Sequence, residues 1–401
     1  MSSPFDGVEL APRDPIIGLT EAFAADSRPT KVNLGVGVYC DDNGRIPLLR
    51  AVREAERARV EAGLPRGYLP IEGLAAYDAA VQKILFGADS SLIAAGRLVT
   101  AQALGGTGAL KIGADFLKRL NPLAQVLISD PSWENHRALF EGAGFKVATY
   151  PYYDAPTHGL DFAGMCSALR AAPAGTIVAL HACCHNPTGV DLSADQWREV
   201  ARLCNSQGLV PMMDIAYQGF GAGIDADALA VRIFAAEGLS FLIASSFSKS
   251  FALYGERVGA LTIVTGSRDE SARVLSQLKR VIRTSYSNPP THGGSIVAAV
   301  LGDPTLRALW EEELAEMRNR IKAMRRALVE GMKARGIEGD FSFVLRQNGM
   351  FSYSGLNKAQ VERLRDEFGI YAVSTGRVCV AALNSKNVDY VCDALAAVLR
   401  G

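Results

Sequence analysis

The 401-residue chain has no excess of either charge: Lys plus Arg and Asp plus Glu each number 42. Proteins that grip nucleic acid usually carry net or clustered positive charge, so this balance disfavours a polyanion partner. It also gives the surface little net repulsion, which is compatible with burying area in an oligomer. Long apolar runs are missing too. The longest, such as "TIVALHACC", have the length of a core strand rather than of a membrane span. The start, "MSSPFDGVEL", lacks the basic and apolar regions of a secretory signal. Cysteine is sparse, odd in number at seven and without repeated spacing, so a disulfide framework is disfavoured and a reduced, cytoplasmic protein is expected. There is no internal repeat, low-complexity segment or long flexible linker.

What is present is a regular alternation. Seven apolar runs, at 97–104, 125–130, 146–153, 176–183, 209–217, 239–246 and 258–264, are separated by amphipathic or glycine-rich segments. Near-continuous apolar strands alternating with helical patterns predict an α/β fold, with a mostly parallel seven-stranded sheet covered on both faces. Ligands of such sheets bind beyond the carboxyl ends of the strands. After residue 302 comes one long charged helical pattern, then "FSFVLRQNGMFSYSG" and "IYAVSTGRVCVA" as strand-like runs, and helices at "KAQVERLRDEFG" and the terminus. This portion reads as a smaller α+β companion domain.

The loops after strands carry the chemistry. In "SSFSKSFALYGERVG", Lys249 sits among serines just past an apolar strand, with Arg257 eight residues on. A lysine shielded from water near a second cation has its amine pKa lowered, which suits a Schiff-base nucleophile, and an arginine fork suits a phosphate. A solvated lysine and a surface arginine are the plain alternative. "LGGTGALKIG" is a glycine turn opening a helix, a place where backbone N–H groups and Thr107 can hold an anion. It matches neither the G-x-G-x-x-G nor the Walker pattern, so nucleotide binding is disfavoured. Asp214 closes the apolar strand "MMD" and needs a partner, such as a protonated ring nitrogen, because unpaired burial is costly. A cap on the following turn is the alternative. Tyr217 lies three residues further on. Arg377, in "STGRVCVA", and Arg283, in "RVIRTSYSNPP", are arginines in otherwise apolar neighbourhoods, suggestive of a substrate with carboxylates.

The stretch "HACCHNPTG" (181–189) offers letters of a metal site without the usual spacing. If the strand continued through it, Cys183 and Cys184 would point to opposite faces and one site could not easily recruit both. His181 and His185 would share a face, where hydrogen-bonded core histidines are the commoner outcome. Asn186, turned by Pro187, is the residue expected to work. No metal is expected. A zinc hydrolase built on this cluster is the competing class of function; a non-catalytic ligand-binding module is a third.

Taken in order, "DPIIGLTEAF", "KVNLGVGVY", "SDPSWENH", "HACCHNPTG", "DIAYQGFGAG", "SFSKSFALYGERVGAL", "YSNPP", "NGMFSYSG" and "STGRVCVA" resemble the class I, fold-type I aminotransferases that use pyridoxal 5'-phosphate. The resemblance is to the aspartate and aromatic amino acid branch, and "YLPIEGL", "SDPSWENH" and "QGFGAG" look closer to its bacterial aromatic members. It implies a tyrosine or phenylalanine aminotransferase that also takes aspartate, passing amino groups to 2-oxoglutarate by a ping-pong route, with aspartate aminotransferase as the runner-up. It implies Lys249 as covalent anchor and base, Asp214 on the ring nitrogen, and Asn186 and Tyr217 on the ring oxygen. Trp133 would stack on the ring. Gly106, Thr107, Ser246, Ser248 and Arg257 would hold the phosphate, with Tyr68 of a second subunit. For the substrate it implies Arg377, Gly37, Trp133 and Asn186 at the α-carboxylate, and Arg283 of the partner at a distal carboxylate. Ile16, Ile17 and Tyr39 would form an apolar edge, and His136 would back Asp214. A site shared in this way implies a homodimer. The matching division is an N-terminal arm (1–13), a small domain (14–42 and 312–401) and a large domain (43–311).

Overall fold

The computed structural model describes residues 3–11 and 17–400, the side chain of Ile17 excepted. Its centre is a seven-stranded sheet of β1 (Leu98–Leu104), β2 (Gln125–Asp130), β3 (Lys146–Pro151), β4 (Ile177–His181), β5 (Val210–Ile215), β6 (Leu242–Ser246) and β7 (Val258–Val264), in the order β1-β7-β6-β5-β4-β2-β3. Strand β7 runs antiparallel to both its neighbours; the other pairings are parallel. The sheet is therefore mixed, and mostly parallel as expected.

Every residue of β4, β6 and β7 is buried, as a sheet covered on both faces requires. Alternate residues enter two separate cores. Val126 and Ile128 of β2 pack on one face with Leu110 and Phe116 of α1 (Gly105–Leu120), while Leu127 faces the other. The edge strand β3 is mostly exposed and begins with a lysine, which discourages further strand pairing.

Helix α2 (Arg268–Ser285) lies past the sheet, and the long pattern after residue 302 is α3 (Pro304–Ala334). Asp303 starts α3 by accepting from the N–H groups of Thr305 and Leu306 at 2.8 and 2.9 Å, with Pro304 at a position where a missing N–H costs nothing. Beyond it the structure departs from the strand-like reading. Residues 343–346 form one helical turn, because Asp340 accepts from both the N–H and the hydroxyl of Ser342 and bends the chain. Of the two strand-like runs, Phe351–Tyr353 and Arg377–Cys379 pair antiparallel to each other, and Ile370–Tyr371 pairs with Val32–Asn33. The helices Lys358–Phe368 and Val388–Leu399 stand where expected.

Candidate active site

Sheet register brings the site together. His181 of β4 pairs with Asp214 of β5, and Asp214 with Ala244 of β6, so three parallel strands end side by side. On the other flank Leu104 pairs with Val258, and Gly259 with Ser246. The first residues of α1, Ser246 and Arg257 therefore converge on one edge. Gly105 takes φ +70° there, and an added Cβ would collide with the Arg257 guanidinium, so the turn into α1 has to be glycine.

These strand ends and the loops after them line a cavity of about 200 Å³. Twelve expected residues face it: Gly37, Gly106, Thr107, Trp133, Asn186, Asp214, Tyr217, Ser246, Ser248, Lys249, Arg257 and Arg377. His181, Ala216, Tyr254 and Phe351 also line it, and none of them was expected to do so. Tyr39 is buried beside the cavity without lining it; its N–H donates to the Tyr254 hydroxyl at 2.9 Å. Tyr68 is 96% exposed. Arg283 is also on the surface, in the last turn of amphipathic α2, donating to Ser287 Oγ, so the apolar neighbourhood read from sequence is corrected for it. Ile16 lies outside the described residues, and Ile17 opens the helix Ile17–Ala25.

One end of the cavity is an anion cradle. The hydroxyls of Thr107, Ser246 and Ser248 and the Arg257 guanidinium meet at the N-terminus of α1, where unpaired N–H groups favour negative charge. Arg257 is steadied by donating to the Tyr254 carbonyl at 3.0 Å and to Ser248 Oγ at 3.3 Å.

In the middle stand Asp214 and Lys249. Asp214 Oδ2 meets His136 Nε2 at 3.0 Å, and His136 Nδ1 meets Ser132 Oγ at 2.9 Å, so His136 does back Asp214. The other oxygen, Oδ1, is buried without a hydrogen-bond partner. Burial pushes the Asp214 pKa up, but the His136 hydrogen bond and nearby positive charge outweigh it and hold the carboxyl below its usual value. Lys249 is pushed the opposite way. Desolvation lowers its amine pKa, Asp214 partly restores it, and Arg257 and Arg377 lower it further. Its Nζ lies 5.1 Å from the centre of the Tyr217 ring.

At the far wall Arg377 is 1% exposed. It donates from Nη1 to Asn186 Oδ1 at 3.0 Å and from Nη2 to the Gly35 carbonyl at 2.7 Å, while Nε has no partner. Its guanidinium lies 4.3 Å from the centre of the Phe351 ring. A buried guanidinium with donor capacity left over, facing a cavity, is equipped to take a carboxylate.

The cysteines beside Asn186 overturn the strand-based expectation. Strand β4 ends at His181 and Cys184 adopts φ +51°, so the thiols are not sent to opposite faces. Both sulfurs and an Asp227 oxygen lie within 4.8 Å of one another, all three residues buried. The Asp227 carboxylate already accepts from the N–H groups of Gly219, Gly221 and Ala222, and the Cys184 thiol is held up at about 11. His181 and His185 are buried and hydrogen-bonded, His181 to Ser132 Oγ at 3.3 Å and His185 to Ser129 Oγ at 2.9 Å and Thr188 Oγ1 at 2.8 Å. Burial keeps both imidazoles neutral.

With amine, carboxylate, anion cradle and carboxylate clamp in one cavity, the comparisons with known proteins agree. The model of "Aminotransferase class I and II" matches residues 29–395. The chain belongs to this family. Among curated aminotransferases, it is 68% identical to an "Aspartate aminotransferase" of Pseudomonas aeruginosa, covering 99% of this chain and 100% of that one. It is 51% identical to an "Aromatic-amino-acid aminotransferase" of Escherichia coli, covering 98% and 100%. Among solved structures, the aromatic-amino-acid aminotransferase from Burkholderia pseudomallei, covalently bound to pyridoxal phosphate, superposes with a TM-score of 0.98 at 72% identity, over 99% of this chain and 100% of that one.

Proposed function

We propose that this aminotransferase works with pyridoxal 5'-phosphate in the cavity, moving amino groups between aromatic amino acids and 2-oxoglutarate, with aspartate as a further donor. The observation that carries the reading is the buried, unpartnered Oδ1 of Asp214, a residue that lines the same cavity as Lys249 and the anion cradle. A group with a protonated ring nitrogen at one end and a phosphate at the other fits this donor and acceptor set. When bound, pyridoxal phosphate supplies the carbonyl that takes the amino group and the conjugated ring that accepts the electron pair left at the substrate Cα.

The chain's own residues do the rest. Lys249 anchors the cofactor through its amine and, once released, moves the proton at the substrate Cα; burial lowers its pKa, which favours the neutral amine that takes that proton. Asp214 accepts from the ring nitrogen and keeps it protonated. Asn186 spends its carbonyl oxygen on Arg377, which leaves its Nδ2 to donate to the ring oxygen, alongside the Tyr217 hydroxyl. Trp133 covers the ring. Gly106, Thr107, Ser246, Ser248 and Arg257 bind the phosphate, and Arg377 takes the substrate α-carboxylate beside Gly37.

Tyr68 and Arg283 belong to this site only if a second copy of the chain supplies them, so a homodimer is part of the proposal. Exposed apolar side chains before residue 70, among them Phe5, Val8, Leu10, Leu48 and Leu64, support it. The two-domain division at about residues 42 and 312, with Ile17 and Tyr39 at the substrate edge, belongs to the same reading. The seven free cysteines suit a reducing, cytoplasmic compartment.

The relative named aspartate aminotransferase favours a second reading, in which aspartate is the main donor. Turnover of tyrosine, phenylalanine and aspartate with 2-oxoglutarate, measured on the purified protein, decides between them. Negligible aromatic turnover leaves the aspartate reading; a visible chromophore lost on borohydride treatment is expected in either case.

A further inference from the structure

We infer that Asp191 is a positioning residue for the carboxylate-binding end of the site, fixing Asn186 and tying its loop to the wall that carries Phe351. The inference rests on the reading of Arg377 and Asn186 given above. Asp191 does not line the cavity. It lies five residues beyond Asn186, and its carboxylate gathers three donors. Oδ1 accepts from the His185 N–H at 2.9 Å; Oδ2 accepts from the Cys184 N–H at 2.9 Å and from Asn348 Nδ2 at 3.2 Å. Two of these donors immediately precede Asn186 in the chain, and the third comes from a segment more than 150 residues away.

That segment has little freedom of its own. The Asn348 N–H donates to the Gly189 carbonyl at 2.7 Å. An added Cβ on Gly349 would stand 2.5 Å from Cys184 Cβ, and one on Gly189 would stand 2.9 Å from the Phe351 carbonyl oxygen. From behind, Arg325 of α3, 2% exposed, donates to the carbonyls of Val344, Gly349 and Phe351 at 3.0, 2.9 and 2.5 Å. The connections close into a ring: Asp191 holds the two residues before Asn186, Asn186 meets Arg377, Arg377 lies over Phe351, and the chain from Phe351 leads back through Asn348 to Asp191. Substitution by asparagine keeps the size but leaves one oxygen for three donors, and its NH2 then faces an N–H.

The test uses the pyridoxal-phosphate-loaded enzyme. Asp191→Asn is expected to raise KM for amino acid and oxo acid alike by roughly tenfold, with a smaller loss in kcat, as a misplaced binding group does. The dissociation constant of 3-phenylpropionate, an unreactive carboxylate, rises in parallel, and Asp191→Glu recovers part of the affinity. Asn348→Ala, which leaves the backbone bonds of the loop intact, gives a smaller shift in the same direction and serves if Asp191→Asn does not fold. Variants that lose thermal stability but keep KM and 3-phenylpropionate affinity within about twofold of wild type overturn the inference. Failure of the underlying reading shows elsewhere: the unsubstituted protein then binds no 3-phenylpropionate, which removes both.

Discussion

The two ends of the cavity are built differently. At the cofactor end one chain brings together Thr107, Asp214, Ser246, Lys249 and Arg257, from strand ends, the first turn of α1 and the loop between β6 and β7, and only Tyr68 is expected from a second copy. At the end expected to read the substrate side chain, Arg283 lies on the surface of this chain. One chain assembles the groups for the chemistry, whereas on the proposed reading a second copy recognises the distal group. Substitutions at the two ends therefore have different signatures.

The largest effect is expected at the cofactor end. Lys249→Ala is predicted to cost on the order of 10⁴-fold in kcat for every substrate while the protein still binds the cofactor, since it removes both anchor and base. Ordinary turnover by this variant would remove the lysine from the mechanism. At the other end, Arg283→Asp is predicted to lower kcat/KM for aspartate and 2-oxoglutarate by about 100-fold, the worth of a charge-assisted pair, and to spare tyrosine and phenylalanine. Equal losses for both classes would erase the distinction between the ends.

The smallest effect concerns stability without cofactor. The Lys249 pKa is lowered in the folded protein, so the unfolded chain binds the extra proton over the range between the folded value and the ordinary 10.5. The penalty on folding is full below the folded pKa and vanishes as pH rises past 10.5. Lys249→Met is thus predicted to melt a little higher than wild type at neutral pH, with the gap closing toward pH 10.5. A gap that widens with pH would contradict the assignment.

The same contrast governs what could be read from sequence. The seven strands were legible because strands buried on both faces appear as unbroken apolar runs. Their ends were less so: the run at 176–183 stops pairing at His181, where the chain leaves the sheet and turns at Cys184. That departure also explains why the two thiols meet. Asp214 and Arg377 stood out because a charge in an apolar run needs a reason, and Lys249 because it sits among serines just past an apolar strand. Phe351 and His181 did not, since an aromatic in a strand-like run looks like core and only the folded chain sets Phe351 beneath Arg377. Arg283 stood out in sequence yet sits at the surface of a single chain, because helix α2 turns Val281 and Ile282 inward and leaves Arg283 exposed.

Complementation tests the shared site most directly. Lys249→Ala and Arg283→Asp chains are unfolded together, refolded as a mixture and assayed with aspartate and 2-oxoglutarate. If Arg283 reaches the partner's cavity, each mixed dimer regains one intact site, and random pairing returns about a quarter of the wild-type rate. A rate no higher than the average of the two parents carried through the same procedure would place Arg283 outside the partner's site and contradict the account.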